Sequence, residues 1–147
     1  MSQYKISFEL KNSLSELDTL REHLERCAES IGLSKKCTLE INLALEELFT
    51  NIFSYGFADD TEHWIKIKIS HDDGALIIRI EDDGVPFNPI AAEKPDIESP
   101  PEERKIGGLG IHLIKQFMDE IAYERIGNHN FLTMKKTIQA TDECVGD

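Results

Sequence analysis

The stretch Leu76–Gly84, with the sequence LIIRIEDDG, decides the fold because it combines a strand pattern with a carboxylate on the apolar face. Side chains alternate between the two faces of a strand, so Asp82 shares a face with Ile78 and Ile80. A buried, unpaired carboxylate is costly, so Asp82 needs a hydrogen-bond donor, which a ligand amino group could supply. Gly84 leaves room for another group to approach. The alternative is that Asp82 only starts a turn, as Asp often does before Gly.

The flanking periodicities predict the other elements of a single domain spanning residues 1–147, with a frayed tail at 140–147. Alternation predicts strands at residues 4–10, 65–70, 76–82, 121–126 and 131–138. Helical spacing predicts helices at 13–31, 34–55 and about 109–119, and turns are expected at 73–74 and 127–130. Because strands follow one another as hairpins, the fold class is α/β: a two-layer sandwich with a mainly antiparallel mixed sheet and helices on one face.

The second predicted helix carries two polar residues on one face. Glu47 and Asn51 are four positions apart and lie beside the apolar Leu48 and Ile52. A carboxylate and a carboxamide one turn apart can serve a metal-bound phosphate, with Asn51 as an oxygen ligand to Mg²⁺ and Glu47 as a base. The alternative is an exposed pair joined by a weak i,i+4 hydrogen bond.

The prolines and glycines mark a third candidate region. All five prolines lie between Pro86 and Pro101, which predicts a long irregular loop at residues 88–106. A loop of this length is usually a lid, a binding loop or disordered. The run Gly107-Gly108-Leu109-Gly110 then opens the third predicted helix, where backbone N–H groups attract phosphate. We expect a lid beside a phosphate site; the alternatives are a surface insertion and a flexible loop end.

Composition excludes several classes of protein. The 147 residues include 16 basic and 28 acidic side chains, and the net charge of −12 argues against direct nucleic-acid binding and against docking on anionic lipid. No apolar run approaches the roughly 18 residues of a membrane span, and the N-terminus lacks the apolar segment of a signal peptide. The three cysteines form no C-x-x-C, so neither a disulfide framework nor a zinc site is expected. A cytoplasmic protein is the prediction.

In chain order, Glu47-x-x-x-Asn51, Asp82-x-Gly84 and Gly108-x-Gly110 resemble the N, G1 and G2 boxes of the GHKL, or Bergerat-fold, ATPases. The resemblance spans about residues 40–138 and matches the order of the elements. The segments 47–57, 82–87 and 103–120 are similar to the branch of anti-sigma-factor serine kinases. Pro86 departs from the pattern, because many members of the family have a glycine there. The implied fold is that of histidine-kinase-like ATPases.

The resemblance implies an ATP and Mg²⁺ site with defined roles. Asp82 would accept a hydrogen bond from the adenine amino group, and Gly84 would let the base close in. Asn51 would coordinate Mg²⁺, and Glu47 would take the proton from the attacking hydroxyl. The phosphates would be held by backbone N–H groups of Gly107, Gly108, Leu109 and Gly110, with Lys105 or Arg104 on the lid neutralising charge. A last-strand threonine often lies near the base in this family, and either Thr133 or Asn130 holds that place.

The function implied by the resemblance is that of an ATP-dependent serine protein kinase. It would transfer the γ-phosphate to an anti-sigma antagonist protein and sequester a sigma factor, and the strand at residues 4–10 is a candidate homodimer edge. The first alternative is a nucleotide-dependent switch that only binds, and the second is an ATPase module of a larger assembly. The five histidines are scattered, and none lies in a separate helix pair, which argues against an autophosphorylating histidine kinase.

Overall fold

The computed structural model describes residues 4–55, 61–72, 74–88 and 114–138 of the chain. The elements, in chain order, are β1 (Tyr4–Lys11), a 3-10 turn (Leu14–Glu16), α1 (Leu17–Ile31), α2 (Lys35–Tyr55), β2 (Trp64–Asp72), β3 (Ala75–Asp82), β4 (Glu120–Ile126) and β5 (His129–Thr137). Residues 114–117, just before β4, are also helical. This order agrees with the one expected from the sequence. Most of the predicted lid, the glycine run at 107–110 and the tail from 139 onward lie outside the described residues.

The five strands form one sheet in the order β1-β2-β3-β5-β4. All four pairings between these strands are antiparallel, in line with the predicted mainly antiparallel sheet. β3 is the central strand, and β5 lies between β3 and β4. The β4–β5 hairpin therefore places residues of β5 directly beside the end of β3.

The core lies between one face of the sheet and the two helices. Alternate residues of β2, namely Ile65, Ile67 and Ile69, are at most 1% exposed. They pack in one cluster with helix residues that include Leu24 and Phe49. Full burial of such a side chain contributes about 1.5–3 kcal/mol, so this cluster is what fixes the helices on the sheet. The predicted two-layer sandwich is confirmed.

The helix boundaries follow the capping residues in the sequence. Ser34 begins α2, because its Oγ accepts a hydrogen bond from the N–H of Cys37 at 3.0 Å. Gly32 ends α1 with a left-handed φ of +76°, and its N–H donates to the carbonyl of Ala28. Ser13 caps the 3-10 turn, so α1 itself begins four residues later than Ser13, at Leu17. None of the helices in the described ranges has the length and apolar character needed to cross a membrane.

The turn between β4 and β5 differs from the prediction. The sequence indicated a four-residue turn at 127–130, whereas β4 ends at Ile126 and β5 begins at His129. Gly127 has a φ of +57°, and a two-residue loop with positive φ matches the twist of the paired strands. The shorter turn brings Asn130 into β5, directly opposite Asp82 of β3.

Two of the cysteines, Cys27 and Cys37, lie in the described part of the chain, and both are buried. Cys27 is a free, buried thiol, and burial raises its pKa to about 11, so it stays protonated at neutral pH.

Candidate functional site

Asp82, the last residue of β3, lies on the buried face, as the alternation predicted. Asp82 is 4% exposed and lies on the same side of the strand as Ile78 and Ile80. Burial raises the pKa of this carboxyl above its ordinary value, because the charged form loses hydration. Hydrogen bonds from Asn130 and Gly84 act in the opposite direction and favour the charged form. The site therefore holds a desolvated carboxylate that is only partly compensated.

One oxygen of Asp82 carries both of its hydrogen bonds. The backbone N–H of Gly84 and the Nδ2 of Asn130 each donate to Oδ1 at 2.9 Å. The bond to Gly84 is the turn that the sequence offered as the alternative to a site, so the turn and the buried carboxylate occur together. Within the described residues Oδ2 receives no hydrogen bond. Oδ2 is therefore the oxygen of Asp82 that remains to accept a further hydrogen bond.

Asn130 is the main residue of the site to which the sequence gave no firm role. Its Nδ2 donates to Asp82 and, at 2.8 Å, to the carbonyl of Val85. Its Oδ1 accepts from three donors, which are the hydroxyl of Tyr123, the backbone N–H of Phe87 and a guanidinium N–H of Arg125. Thr133, the other candidate for this place, lies three residues further along β5 on the opposite face of the sheet, where it pairs with Arg79 of β3. The alternation of Asn130 with Leu132 and Met134 was the available signal, and the misplaced turn obscured it.

The polar pair on α2 lies near the end of that helix, next in sequence to a residue that lines a cavity with Asp82. Asn51 is 4% exposed, and its Nδ2 donates to Oε2 of the half-buried Glu47 at 3.2 Å. The i,i+4 hydrogen bond that the sequence offered as the alternative to a metal site is thus present, but the pair is not exposed. Ile52, the residue after Asn51, lines the same small cavity as Asp82. The end of α2 and the end of β3 therefore meet at one place.

The cavity between these ends is small. Its volume is about 10 Å³, which is room for about one water molecule. Ile52, Ile80 and Leu132 supply apolar walls, and Asp82 and Asn130 supply the polar ones. The aromatic rings of Phe87 and Tyr123 complete the described lining. A purine can enter only if part of this wall moves, and the apolar walls match the flat faces of such a base.

The donor set on α2 is suited to a metal held mainly by phosphate. Among the residues that the structure describes, no three His, Cys, Asp or Glu side chains cluster as a metal site. Mg²⁺ in nucleotide sites takes one or two protein oxygens and completes its shell with phosphate and water. The buried carboxamide of Asn51 fits that role, because its nitrogen is engaged by Glu47 and its oxygen remains.

The structure joins four of the predicted residues in two pairs, Asn51 with Glu47 and Gly84 with Asp82, and Ile52, next to Asn51, lines a cavity with Asp82. The other predicted site residues lie outside the described part of the chain, namely Lys105, Gly107, Gly108, Leu109 and Gly110. The roles of all nine stay predictions.

The chain is similar in sequence to kinases and anti-sigma factors. The chain is 25% identical over 111 residues to the serine/threonine-protein kinase BtrW of Bordetella bronchiseptica, which covers 76% of this chain and 78% of that protein. It is 28% identical over 93 residues to the anti-sigma F factor of Priestia megaterium, which covers 58% of each chain.

A solved structure shows the same fold. The crystal structure of the RsbU and RsbW domains of a Mycobacterium tuberculosis protein superposes with a TM-score of 0.60 at 14% identity, covering 90% of this chain and 31% of that one. The family model of the histidine kinase-like ATPase domain matches residues 10–136. The chain therefore belongs to the family of histidine kinase-like ATPase domains.

Proposed function

We propose that the protein is an ATP-binding anti-sigma factor with serine protein kinase activity. It transfers the γ-phosphate of ATP to a serine hydroxyl of an anti-sigma antagonist protein, and it sequesters a sigma factor. The observation that carries this proposal is the buried Asp82, which has one oxygen without a hydrogen bond from the described residues and lines a cavity with Ile52 of α2. The names of the similar proteins, a serine/threonine-protein kinase and an anti-sigma F factor, support the reaction and a sigma factor as a partner.

Base recognition depends on Asp82 and Gly84. An ionised carboxylate only accepts hydrogen bonds, so Oδ2 of Asp82 selects a base that offers an amino group. Adenine offers one at position 6. Gly84 carries no side chain and lies one residue beyond Asp83, which lets the ring approach the turn. Apolar contacts with Ile52 and Leu132 then hold the faces of the base.

Phosphoryl transfer depends on the pair on α2. Mg²⁺, when bound, neutralises charge that develops on the phosphates. Asn51 holds it through the carboxamide oxygen, and the hydrogen bond to Glu47 fixes the orientation of that amide. Glu47 then accepts the proton of the attacking serine hydroxyl through its carboxylate. Gly107, Gly108, Leu109 and Gly110 bind the phosphates through backbone N–H groups, and Lys105 neutralises charge beside them.

The remaining parts of the proposal concern assembly and location. Residues 1–147 act as one kinase domain with a lid at 88–106, and the outer edge of β1 is the surface for a homodimer. A partner that is a sigma factor places the protein in the cytoplasm.

A second candidate function is a nucleotide-dependent switch that binds its partner without phosphoryl transfer. The observation that favours it is the hydrogen bond from Asn51 to Glu47. A carboxylate that positions a metal ligand has a use even in a protein that transfers nothing. The two candidates differ only in whether Glu47 also takes a proton.

The test is phosphoryl transfer from labelled Mg-ATP to candidate antagonist proteins, compared with Glu47→Gln. Gln keeps the size of the side chain and removes the base, so transfer falls by about 10²–10⁴ while ATP affinity stays within a few-fold. Glu46→Gln is the control, because that carboxylate bonds to Arg21 and Asn42 away from the site. Undiminished transfer in Glu47→Gln removes Glu47 from the mechanism. No transfer by the unmutated protein to any antagonist tested favours the binding-only switch.

A further inference from the structure

Arg125, on β4, ties together the segments that surround Asp82. Its Nη1 donates to the carbonyl of Gly84 at 2.8 Å and to Oδ1 of Asn130 at 3.2 Å. Its Nε donates to the carbonyl of Gly127 in the β4–β5 turn at 3.2 Å. Within the described residues it forms no ion pair, so its charge is directed at the turn after β3 and at Asn130.

These contacts leave Asn130 only one orientation. Its amide oxygen faces three donors, and its amide nitrogen faces two acceptors, the carboxylate of Asp82 and the carbonyl of Val85. Rotating the amide by 180° would set donors against donors and acceptors against acceptors. Arg125 thus helps to keep the amide nitrogen of Asn130, and not its oxygen, facing Asp82. The result is that Oδ1 of Asp82 is occupied by two N–H groups and Oδ2 is left for a ligand.

The charge of Arg125 also acts on the carboxyl itself. Burial and the neighbouring Asp83 raise the pKa of Asp82, while the bonds from Asn130 and Gly84 and the charge of Arg125 lower it. The other ionisable groups that contact this corner are Tyr123 on β4, whose hydroxyl donates to Asn130, and His63, which is bound to Asp83 at 3.0 Å. Arg125 is the cation that contacts the network. An ionised Asp82 accepts from an amino group, whereas a protonated one has a proton of its own facing the ligand.

We propose that Arg125, acting through Asn130, is the positioning residue that sets the preference of this site for a purine 6-amino group. The proposal rests on the proposed ATP-binding function and adds to it the residue that makes Asp82 selective. The selective oxygen belongs to Asp82, and Arg125 contributes by holding the amide and the turn that face it.

The experiment measures calorimetric affinities for ATP and for purine riboside triphosphate, which lacks the 6-amino group, between pH 5 and 8. A hydrogen bond to a charged group contributes roughly ten- to a hundred-fold in affinity, so the unmutated protein prefers ATP by about that factor at pH 7. In Arg125→Met the preference for ATP over purine riboside triphosphate falls to a few-fold. As the pH is lowered, ATP affinity also begins to fall at a higher pH than it does in the unmutated protein. A purely structural role would lower both affinities together and would not change their ratio.

Two variants separate charge from geometry. Arg125→Lys keeps the charge but not the fork of donors, and it retains more of the preference for ATP than Arg125→Met does. Arg79→Met is the matched control, because Arg79 packs over the Phe131 ring on the opposite face of the sheet, 4.4 Å from its centroid. If Arg125→Met does not fold, Tyr123→Phe is the second variant, because it removes one donor to Asn130. It also lowers the ratio of the affinity for ATP to that for purine riboside triphosphate.

The outcomes distinguish this inference from the proposed function. Failure of the unmutated protein to bind either nucleotide overturns the proposed function, and the inference with it. Binding of ATP with a clear preference that Arg125→Met leaves unchanged, with the same pH dependence, overturns the inference alone.

Discussion

At the scale of single residues, the buried position of Asp82 lowers the stability of the folded protein when the carboxyl is charged. Burial raises its pKa, so the folded state binds the proton more tightly than the unfolded state does. The stability that Asp82 contributes is therefore fully present below the unfolded pKa of 3.8 and is lost as the pH rises through the raised folded value. At neutral pH the charge is a net cost in the absence of nucleotide.

Asp82→Asn is expected to raise the thermal unfolding midpoint at pH 7. The substitution removes the desolvated charge and keeps an oxygen that accepts from Gly84 and Asn130. For a chain of this size about 1 kcal/mol corresponds to roughly 2–4 °C. The advantage shrinks as the pH is lowered through the raised pKa of the native carboxyl, where Asp82 gains its proton. Calorimetric scans at several pH values check this, and a lower midpoint at pH 7 would show that the charge stabilises the fold.

At the scale of elements, two glycines in hairpin turns differ in a testable way. Gly74, between β2 and β3, has a φ of +78°, and an added Cβ would lie 3.2 Å from the carbonyl oxygen of Ile138. Gly127, between β4 and β5, has a φ of +57°, and an added Cβ would meet nothing within 4 Å. A left-handed conformation costs a residue with a side chain about 1–2 kcal/mol.

We therefore expect Gly127→Ala to destabilise the protein by about 1–2 kcal/mol and Gly74→Ala by more. The additional cost at Gly74 comes from the backbone carbonyl, which is held by the β3–β5 end where the N–H of Ile138 bonds to Gly74. Urea unfolding of both variants measures the difference in the free energy of unfolding. Equal losses would mean that the strand end moves to accept the methyl group.

Some features of the elements and of the site follow from local sequence patterns, and others depend on the topology of the sheet. The strand ending at Asp82 and the burial of that carboxylate follow from a period of two, which is a local pattern. The contact of Arg125 with Gly84 has no local pattern, because it exists only where β5 lies between β3 and β4. Asn130 was obscured for a different reason: a two-residue turn and a four-residue turn are both compatible with the glycine and asparagines at 127–130.

At the scale of the whole molecule, nucleotide binding and folding are linked. A ligand that binds only the folded state stabilises it by about 2.7 kcal/mol when its concentration is a hundred times its dissociation constant. The candidate site joins the end of α2 to β3 and β5, so a bound nucleotide would bridge both layers of the sandwich. Any variant should therefore be compared with and without Mg-ATP, because loss of affinity and loss of stability have different causes here.

The most direct test of the central claim is a calorimetric titration with Mg-ATP of the unmutated protein, Asp82→Asn and Asp83→Asn. Asp83 is the matched control, since it is the adjacent carboxylate, about half exposed, and bonds to His63 rather than into the cavity. Loss of the charged hydrogen bond predicts an affinity about ten- to a hundred-fold weaker in Asp82→Asn and little change in Asp83→Asn. Equal affinities in all three proteins would contradict the assignment of Asp82 to the adenine amino group.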